Sequence, residues 1–596
     1  EREFKNYKIT YKYLGYDSTN NHEVNETYCT PVGALVTVKN TVTGESISST
    51  MDLLELPVPS EAGFKIGKSD KQILTLTKPS AGWFILPAKK NEAEEGAEEI
   101  KTLPQLKYSS NFKRNMYFFS KNKQIYYTFD SRGSQLKNVG VLLKGLTGKT
   151  YIELLNILGK NTYILNSLVN EKSTEECIRQ LSTALPSGRY EIQNNTEKFK
   201  IFTNDLFQPD VIGSDLANYE RYKVNTSFTS RAINKELAKD VETTIETVDE
   251  NGNTILKELN VKKGTKLSVK ILEDLDKSPL AELYIKHGNK TAKILKLEAD
   301  PVRFTTNELL TMINMYANAL DGLGDCDDQF GPTSRVSISF DTLVLDKLVK
   351  NCRKLSDNIC IGLADLDIYD SIATLLSDIS LSFNVNLINE IKENKSKALQ
   401  SSSKTNLMQV MSTSEKQFMD IERVTSEMIS NISMKFNRFD VIDQPEGQSM
   451  GKHAYPTLLA KTDDLGFMTT PYYVVKNGRP TSEIVYVSAK EELHAYRAPF
   501  DAKFDKPTEL CYYGDTLINV PLKDIKYQEI SCVQSMSMAR ANIPFIQFSN
   551  QKRILMGINQ SRQAIATLQM ERRLVSTGAF SINPQGITRA KDILAD

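Results

Sequence analysis

A chain of 596 residues is too long for one hydrophobic core and implies roughly three to five domains. Lys+Arg and Asp+Glu are equal at 74 each, so no global basic field marks a nucleic-acid binder, and any such contact has to rest on a local surface. Seven dispersed cysteines without a C-x-x-C pair, and four histidines in no H-E-x-x-H pattern, argue against a disulfide framework and a structural zinc site and suit a reducing cytosol.

No apolar run is long enough to span a bilayer, and EREFKNYKITYKY at the start lacks a signal peptide's apolar stretch. The first residue is not Met, so an N-terminal segment is expected to be missing. In chain order, ALVTVKN (Ala34 to Asn40) alternates apolar and polar residues at the strand period. KKNEAEEGAEEIK from Lys89 interrupts with charge and reads as a solvated loop. DENGNTI around Gly252 places an Asn-Gly pair between β-type runs, which predicts a hairpin. Thr305 and Glu308 have capping-box spacing, and Leu309, Ile313, Tyr316 and Leu320 follow at helical steps, which predicts a helix from Thr305 to Leu320. A helical region is expected from about Asp341 to Leu399, broken by the polar run SSSKTN from Ser401. Short strands return after Arg479, as in SEIVYVSA (Ser482 to Ala489).

Three segments imitate chemistry. LKGLTGKT ends in Gly148-Lys149-Thr150 like a phosphate loop, but Leu143 stands where the loop needs its first glycine, so an ordinary turn is the better reading. GDCDDQFG gathers Asp325, Asp327 and Asp328, as a two-metal site would, yet Asp and Gly crowd turns for backbone reasons. Asp365, Asp367 and Asp370 in LADLDIYD fall within a helical pattern that would spread them around a surface.

The informative segments come late in the chain. Ala541 to Phe580 contains Ile543-Pro544-Phe545, Arg553, Leu555-Met556-Gly557, Asn559, Arg562-Gln563-Ala564 and Thr577-Gly578. Arg553 and Arg562 are permanently charged, fork-shaped donors suited to phosphates, while Asn559 and Gln563 can donate to ribose or phosphate oxygens. Val441 to Gly478 contains Pro445-Glu446-Gly447, Gly451, Gly466-Phe467 and Thr470-Pro471-Tyr472, with Gln444 before the first proline. Glu415 to Lys435 contains Gln417, Phe418, Met419, Asp420, Ser426 and Glu427.

These three segments resemble the β subunit of multisubunit DNA-dependent RNA polymerases. The first resembles its Leu-Met-Gly and Asn-x-x-Arg-Gln-Ala signature, and the second its Thr-Pro-Glu-Gly fork motif with Gln444 in place of Thr. The third is similar to the rifampicin-pocket region, whose equivalents here are Gln417, Phe418, Asp420, Ser430, Ser433 and Lys435. The last three of these stand where bacteria have His, Arg and Ser, and the fork loop before Val441 is shortened. Weaker likenesses cover most of the chain: Glu55 to Phe84 to the protrusion's strand pair, LKNVGVLLKGL and ANYERYKVN to the lobe, and DDQFGPTSRV to the return into the protrusion.

The resemblance implies an α+β multidomain fold of protrusion, lobe and fork, ending in part of a double-psi β-barrel. The expected parts are protrusion 1–88, lobe 89–334, protrusion again 335–414, fork and external region 415–525, and the first part of the hybrid-binding barrel 526–596. It implies NTP binding by Arg553 and Asn559, and RNA or hybrid binding by Arg562, Gln563, Met556, Pro445, Glu446 and Gly447. No catalytic or metal-holding residue is expected on this chain: Mg2+ would be held by a β′ partner. The barrel would need missing strands from a C-terminal β fragment, because half-built sheets leave buried edges. Such a split resembles the polymerases of giant bacteriophages, with β′ fragments, template DNA, nascent RNA and NTPs as partners, and a promoter-specificity subunit as a further candidate. The place implied is the bacterial host cytoplasm, with packaging in the virion as a variant, and no membrane. The rival reading is a β-like scaffold or regulator that binds polymerase subunits without joining catalysis.

Overall fold

The computed structural model describes residues 2–4, 6–16, 22–24, 27–60, 63–67, 69–87, 103–109, 115–129, 136–169, 176–177, 228–248, 254–288, 290–297, 306–324, 326–328, 330–364, 371–382, 399–401, 406–419, 435–445, 450–514 and 516–565. Two compact units share the chain: Glu1–Pro79 with Phe330–Asp596 form one, and Ser80–Gln329 form the other.

In the first unit the strand expected at Ala34 to Asn40 extends over Thr27–Asn40. Ala34, Val36 and Val38 are fully buried while Lys39 is exposed, the period-two signature of a half-buried strand. It pairs antiparallel with Tyr7–Tyr16 and with Ser46–Pro57. The strand pair expected in Glu55 to Phe84 is Gly63–Ile66 against Ser69–Ile73, with Phe64 opposite Lys71. Thr75–Pro79 then brings distant segments together: it is antiparallel to Arg335–Ile338 and parallel to Gln417–Met419, which pairs in turn with His453–Ala454.

The long helical region is found as Phe340–Ala364 and Ile372–Ser382. Its expected end is corrected: Leu399–Ser401 is a short strand on Ser69–Ile73. Leu399 packs there beside Ile66 and Leu54, so tertiary burial and an open sheet edge override helical periodicity. Asp365, Asp367 and Asp370 lie outside the described residues. The polar run from Ser401 ends at Asn406, which caps the helix Leu407–Glu415 by accepting from the Gln409 amide at 3.2 Å.

A seven-stranded sheet follows in the order Lys461–Thr462, Met468–Lys476, Tyr527–Glu529, Arg497–Ala498, Thr508–Tyr513, Thr516–Pro521, with Arg479–Ser488 also paired to Met468–Lys476. The strand expected from Ser482 is within Arg479–Ser488. Its hairpin turn, Asn477-Gly478, has φ of 54° and 73°, the left-handed pair of a type I′ turn. A Cβ on Gly478 would also stand 2.9 Å from Leu522 Cβ, so conformation and space both require glycine.

One expectation fails at the end of this unit. The barrel expected over 526–596 would make the apolar run IPFIQF (Ile543 to Phe548) a strand, but Phe545 takes φ 55° and Ile546–Phe548 is a single 3-10 turn. Pro544 has no N–H to give a ladder, and the run instead delivers Ile543 and Ile546 onto Ile554 and Ile558 of the next helix. The described residues after Glu529 contain no strand beyond an isolated bridge between Thr457 and Ser537, so they do not show the expected half of a double-psi barrel.

The second unit packs helices Val139–Thr147, Tyr151–Leu158, Thr162–Leu168 and Thr306–Leu320 on a five-stranded sheet, Gly82–Leu86, Gln105–Ser109, Met116–Lys121, Gln124–Thr128 and Lys137–Asn138. Leu309, Ile313 and Tyr316 are buried as their spacing predicts. Thr305 is outside the described residues, and Glu308 accepts from Trp83 Nε1 at 2.8 Å in the core. Gly148, at φ 66°, ends one helix and Thr150 opens the next in a capping box with Glu153, so the imitation phosphate loop is a turn between helices. The predicted hairpin is Val241–Val248 against Thr254–Val261. Asp327 bonds Ile85 through both its amide and its carboxylate, each at 2.7 Å, which makes this segment a connector. Among the described residues no three or more His, Cys, Asp or Glu side chains are grouped to hold a metal ion, and no helix is long and apolar enough to cross a membrane.

Candidate nucleic-acid interface

The helix Gln551–Gln563 opens where Asn550 accepts from the Arg553 amide at 2.9 Å. Its buried side chains are Ile554, Ile558 and Arg562, one stripe at intervals of four. The two isoleucines pack on Ala539, Ile543 and Ile546 with Met408 and Ile442. A Cβ on Gly557 would stand 3.3 Å from Ile543 Cδ1, so what the glycine admits is this side chain.

At about 100° per residue, the opposite face carries Lys552, Arg553, Met556, Asn559, Gln560 and Gln563, all exposed. The helix contains no acidic residue. Arg553 Nη1 lies 3.8 Å from Met556 Sδ, and among the described residues no carboxylate pairs with the guanidinium. Two cations in the first turn stand at the positive end of the helix dipole, an arrangement that costs roughly 0.3–1 kcal/mol unless an anion joins them. Stability alone would not select it. The positive helix end, two cations and neighbouring amide donors together suit phosphate.

Arg562 is placed differently from the residues grouped with it in the sequence. Its Nη1 and Nη2 reach Asp443 Oδ1 and Oδ2 at 2.7 and 2.5 Å, and its plane lies 4.0 Å from the Tyr455 ring centre. Asp443 Oδ2 also accepts from Ser537 Oγ at 2.7 Å. Asp440 accepts from the Ser537 amide at 2.8 Å and from Arg540 Nη1 at 3.1 Å. The Asn406 amide donates to the Ser561 and Ala564 carbonyls that end the helix. Burial raises the Tyr455 phenol above its ordinary value, against the opposing pull of Arg562.

Pro445 follows Asp443 by two residues and is half-buried, whereas Glu446 and Gly447 lie outside the described residues. The structure therefore brings Arg553, Met556, Asn559 and Gln563 onto one exposed face and turns Arg562 inward toward the segment that carries Pro445. Asp440, Asp443, Ser537 and Asn406 were missed by sequence reasoning. One signal was present: an arginine that continues an isoleucine stripe at i+4 and i+8 has to be buried and paired.

The rifampicin-pocket equivalents divide as well. Gln417 is buried, accepting from Ser337 Oγ at 2.9 Å, and Phe418 enters the core with Leu74, Leu76, Ile338 and Leu343. Gln417 and Lys435 line a small pocket of about 50 Å³ together with Arg335, Gln444, Lys452 and His453. Burial beside Lys416 and Lys452 lowers the His453 pKa to about 4, so the imidazole is neutral at pH 7. Asp420, Ser430 and Ser433 lie outside the described residues.

No family model matches the chain. It is 23% identical, over 97% of its length, to the DNA-directed RNA polymerase subunit beta of Clostridium beijerinckii, covering 50% of that protein. The Geobacillus kaustophilus subunit of the same name is also 23% identical, over 93% of this chain and 48% of its own. Identity to the Nitratidesulfovibrio vulgaris subunit reaches 35% over 164 residues, 26% of this chain and 12% of that one. The chain is thus β-subunit-like over nearly all its length, and it spans about half the length of the curated relatives it matches.

Proposed function

We propose that this β-subunit-like chain is the N-terminal half of a split β subunit of a DNA-dependent RNA polymerase, of the giant-bacteriophage type, active in a complex within the bacterial host. The observation that carries the reading is the exposed, acid-free face of the helix Gln551–Gln563 within a chain similar to polymerase β subunits. On this reading Arg553 grips the phosphates of the incoming NTP and Asn559 donates to the same nucleotide. Gln563 and Met556 contact the RNA 3′ end and hybrid, and the Pro445-Glu446-Gly447 turn flanks the hybrid. Magnesium held by the β′ partner would neutralise charge at the transferring phosphoryl group. This chain's share is to bind and orient through charge-assisted hydrogen bonds, without reading base sequence.

Affinity purification of the full chain from cells that express it naturally tests the proposal. The expected companions are a C-terminal β fragment and β′ fragments with a metal-binding aspartate loop, and the complex makes RNA on a DNA template. A fully active polymerase complex from which this chain is absent would overturn the proposal.

The same complex is expected to transcribe normally in rifampicin. Lys435 lines the cavity beside Gln417 with Arg335 and Lys452, and desolvating cations against an apolar drug is costly. Inhibition at concentrations that stop a bacterial polymerase would refute this.

A further inference from the structure

We propose that Arg562 is a positioning residue: its pair with Asp443 clamps the helix Gln551–Gln563 to the segment that carries Pro445, and so sets where Arg553 and Asn559 stand. The functional half of this inference rests on the reading above. The clamp itself rests on geometry alone.

Both terminal nitrogens of Arg562 are taken by one carboxylate, and Tyr455 covers a face of the guanidinium. Only 9% of the residue is exposed, and its Nε is buried without a partner, so the guanidinium offers little surface to a polyanion. A bidentate pair fixes orientation as well as distance, which a single contact or a lysine cannot do. Asp443 is itself held, by Ser537 Oγ, and the neighbouring Asp440 is tied to the Ser537 amide and to Arg540. Asn406 holds the last carbonyls of the helix from another side. The helix is therefore anchored by polar contacts at its C-terminal end and works at its N-terminal end.

The lever is long. Nine residues separate Arg553 from Arg562, about 13 Å at the α-helical rise, so a tilt of about 10° at the anchor moves Arg553 by roughly 2 Å. Displacements of about 1 Å in a substrate-positioning group can cost on the order of a hundredfold in rate. Loss of the clamp should therefore appear as loss of Arg553 function, although Arg562 touches no substrate.

The test uses the assembled complex on a preformed RNA–DNA scaffold, with Arg562→Gln, Asp443→Asn, their double variant, and each combined with Arg553→Ala. Arg562→Gln and Asp443→Asn are each expected to raise the NTP KM about tenfold, with the double variant no worse than either. In the Arg553→Ala background either should cause far less than its tenfold effect, leaving only the share carried by Asn559, and Arg562→Lys should restore part of the activity. The salt dependence of scaffold binding should match wild type. If Arg562 instead held an RNA phosphate, Asp443→Asn would leave addition unchanged, the Arg553 and Arg562 effects would multiply, and the salt slope would fall by about one. Any of these overturns the inference.

Amide hydrogen exchange of residues 551–563 in the full-length chain is read in parallel. Both single variants are expected to speed exchange equally, and wild-type protection in either would overturn the clamp. If Asp443→Asn fails to fold, Arg562→Lys carries the same comparison. Faster exchange in the variants, with no RNA synthesis by the wild-type complex, would support the clamp and overturn the polymerase reading instead.

Discussion

Replacing Arg553 with alanine is expected to slow nucleotide addition by about ten- to a hundredfold at subsaturating NTP, while assembly and promoter binding stay intact. The size follows from one charge-assisted phosphate contact, worth roughly 1.5–3 kcal/mol. The selectivity follows from exposure: the side chain lies in solvent beside Met556, so its removal opens no cavity and leaves no buried partner unpaired among the described residues. Arg553→Lys should recover part of the loss, since an ammonium keeps the charge and loses the fork. Gln563→Ala, on the same face with a neutral side chain, should cost much less. Single-nucleotide addition across an NTP titration measures all three. Wild-type rates for Arg553→Ala would remove the catalytic reading and favour the non-catalytic scaffold.

The largest stability effect is expected from Glu492→Ala. Glu492 Oε2 accepts from Arg438 Nη2 at 2.6 Å and from the Tyr472 hydroxyl at 3.0 Å, and Oε1 pairs with Arg497. Arg438 is fully buried, and its remaining bonds go to the Met468 and Val487 carbonyls at 3.1 and 3.0 Å. Burial pulls the Arg438 pKa down to about 10, still high enough to keep the charge at pH 7. Removing the carboxylate strands two guanidinium groups inside the seven-stranded sheet, with Glu529 the remaining acid near Arg497. Breaking a buried pair from one side costs about 3–5 kcal/mol. The exposed pair between Lys476 and Glu483, at 2.7 Å, is the comparison, and Lys476→Ala should cost no more than about 1 kcal/mol. Urea unfolding of the full chain, followed by a probe in the seven-stranded sheet, decides it. Equal midpoints for the two variants would show that the buried network contributes little.

Much of the local structure was legible because its causes are local. Alternation placed the strand through Ala34, Val36 and Val38, and helical spacing placed Leu309, Ile313 and Tyr316 on the buried face. Missing glycine chemistry at Leu143 was enough to reject the phosphate loop, and the Asn-Gly pair marked the hairpin that joins Val241–Val248 to Thr254–Val261. The motif around Arg553, read one residue at a time, also anticipated the likeness to polymerase β subunits.

Tertiary structure decided what depends on distant partners. IPFIQF has the composition of a strand, yet with no strand beside it among the described residues it is a turn that feeds Ile543 and Ile546 to a helix. Leu399 leaves its helical pattern for the open edge of Ser69–Ile73. Arg553 and Arg562 look equivalent as sequence, two arginines of one motif with the same chemistry. Their roles separate because Arg562 continues the Ile554–Ile558 stripe into the interior, where an aspartate 119 residues away completes it, while Arg553 faces solvent. Periodicity and capping are set within a few residues of chain, and so the sequence determines them unless a distant partner intervenes, as Trp83 does at Glu308 and the Ser69–Ile73 edge does at Leu399. Which carboxylate meets a buried guanidinium depends on where the chain returns, and only the packed molecule determines that.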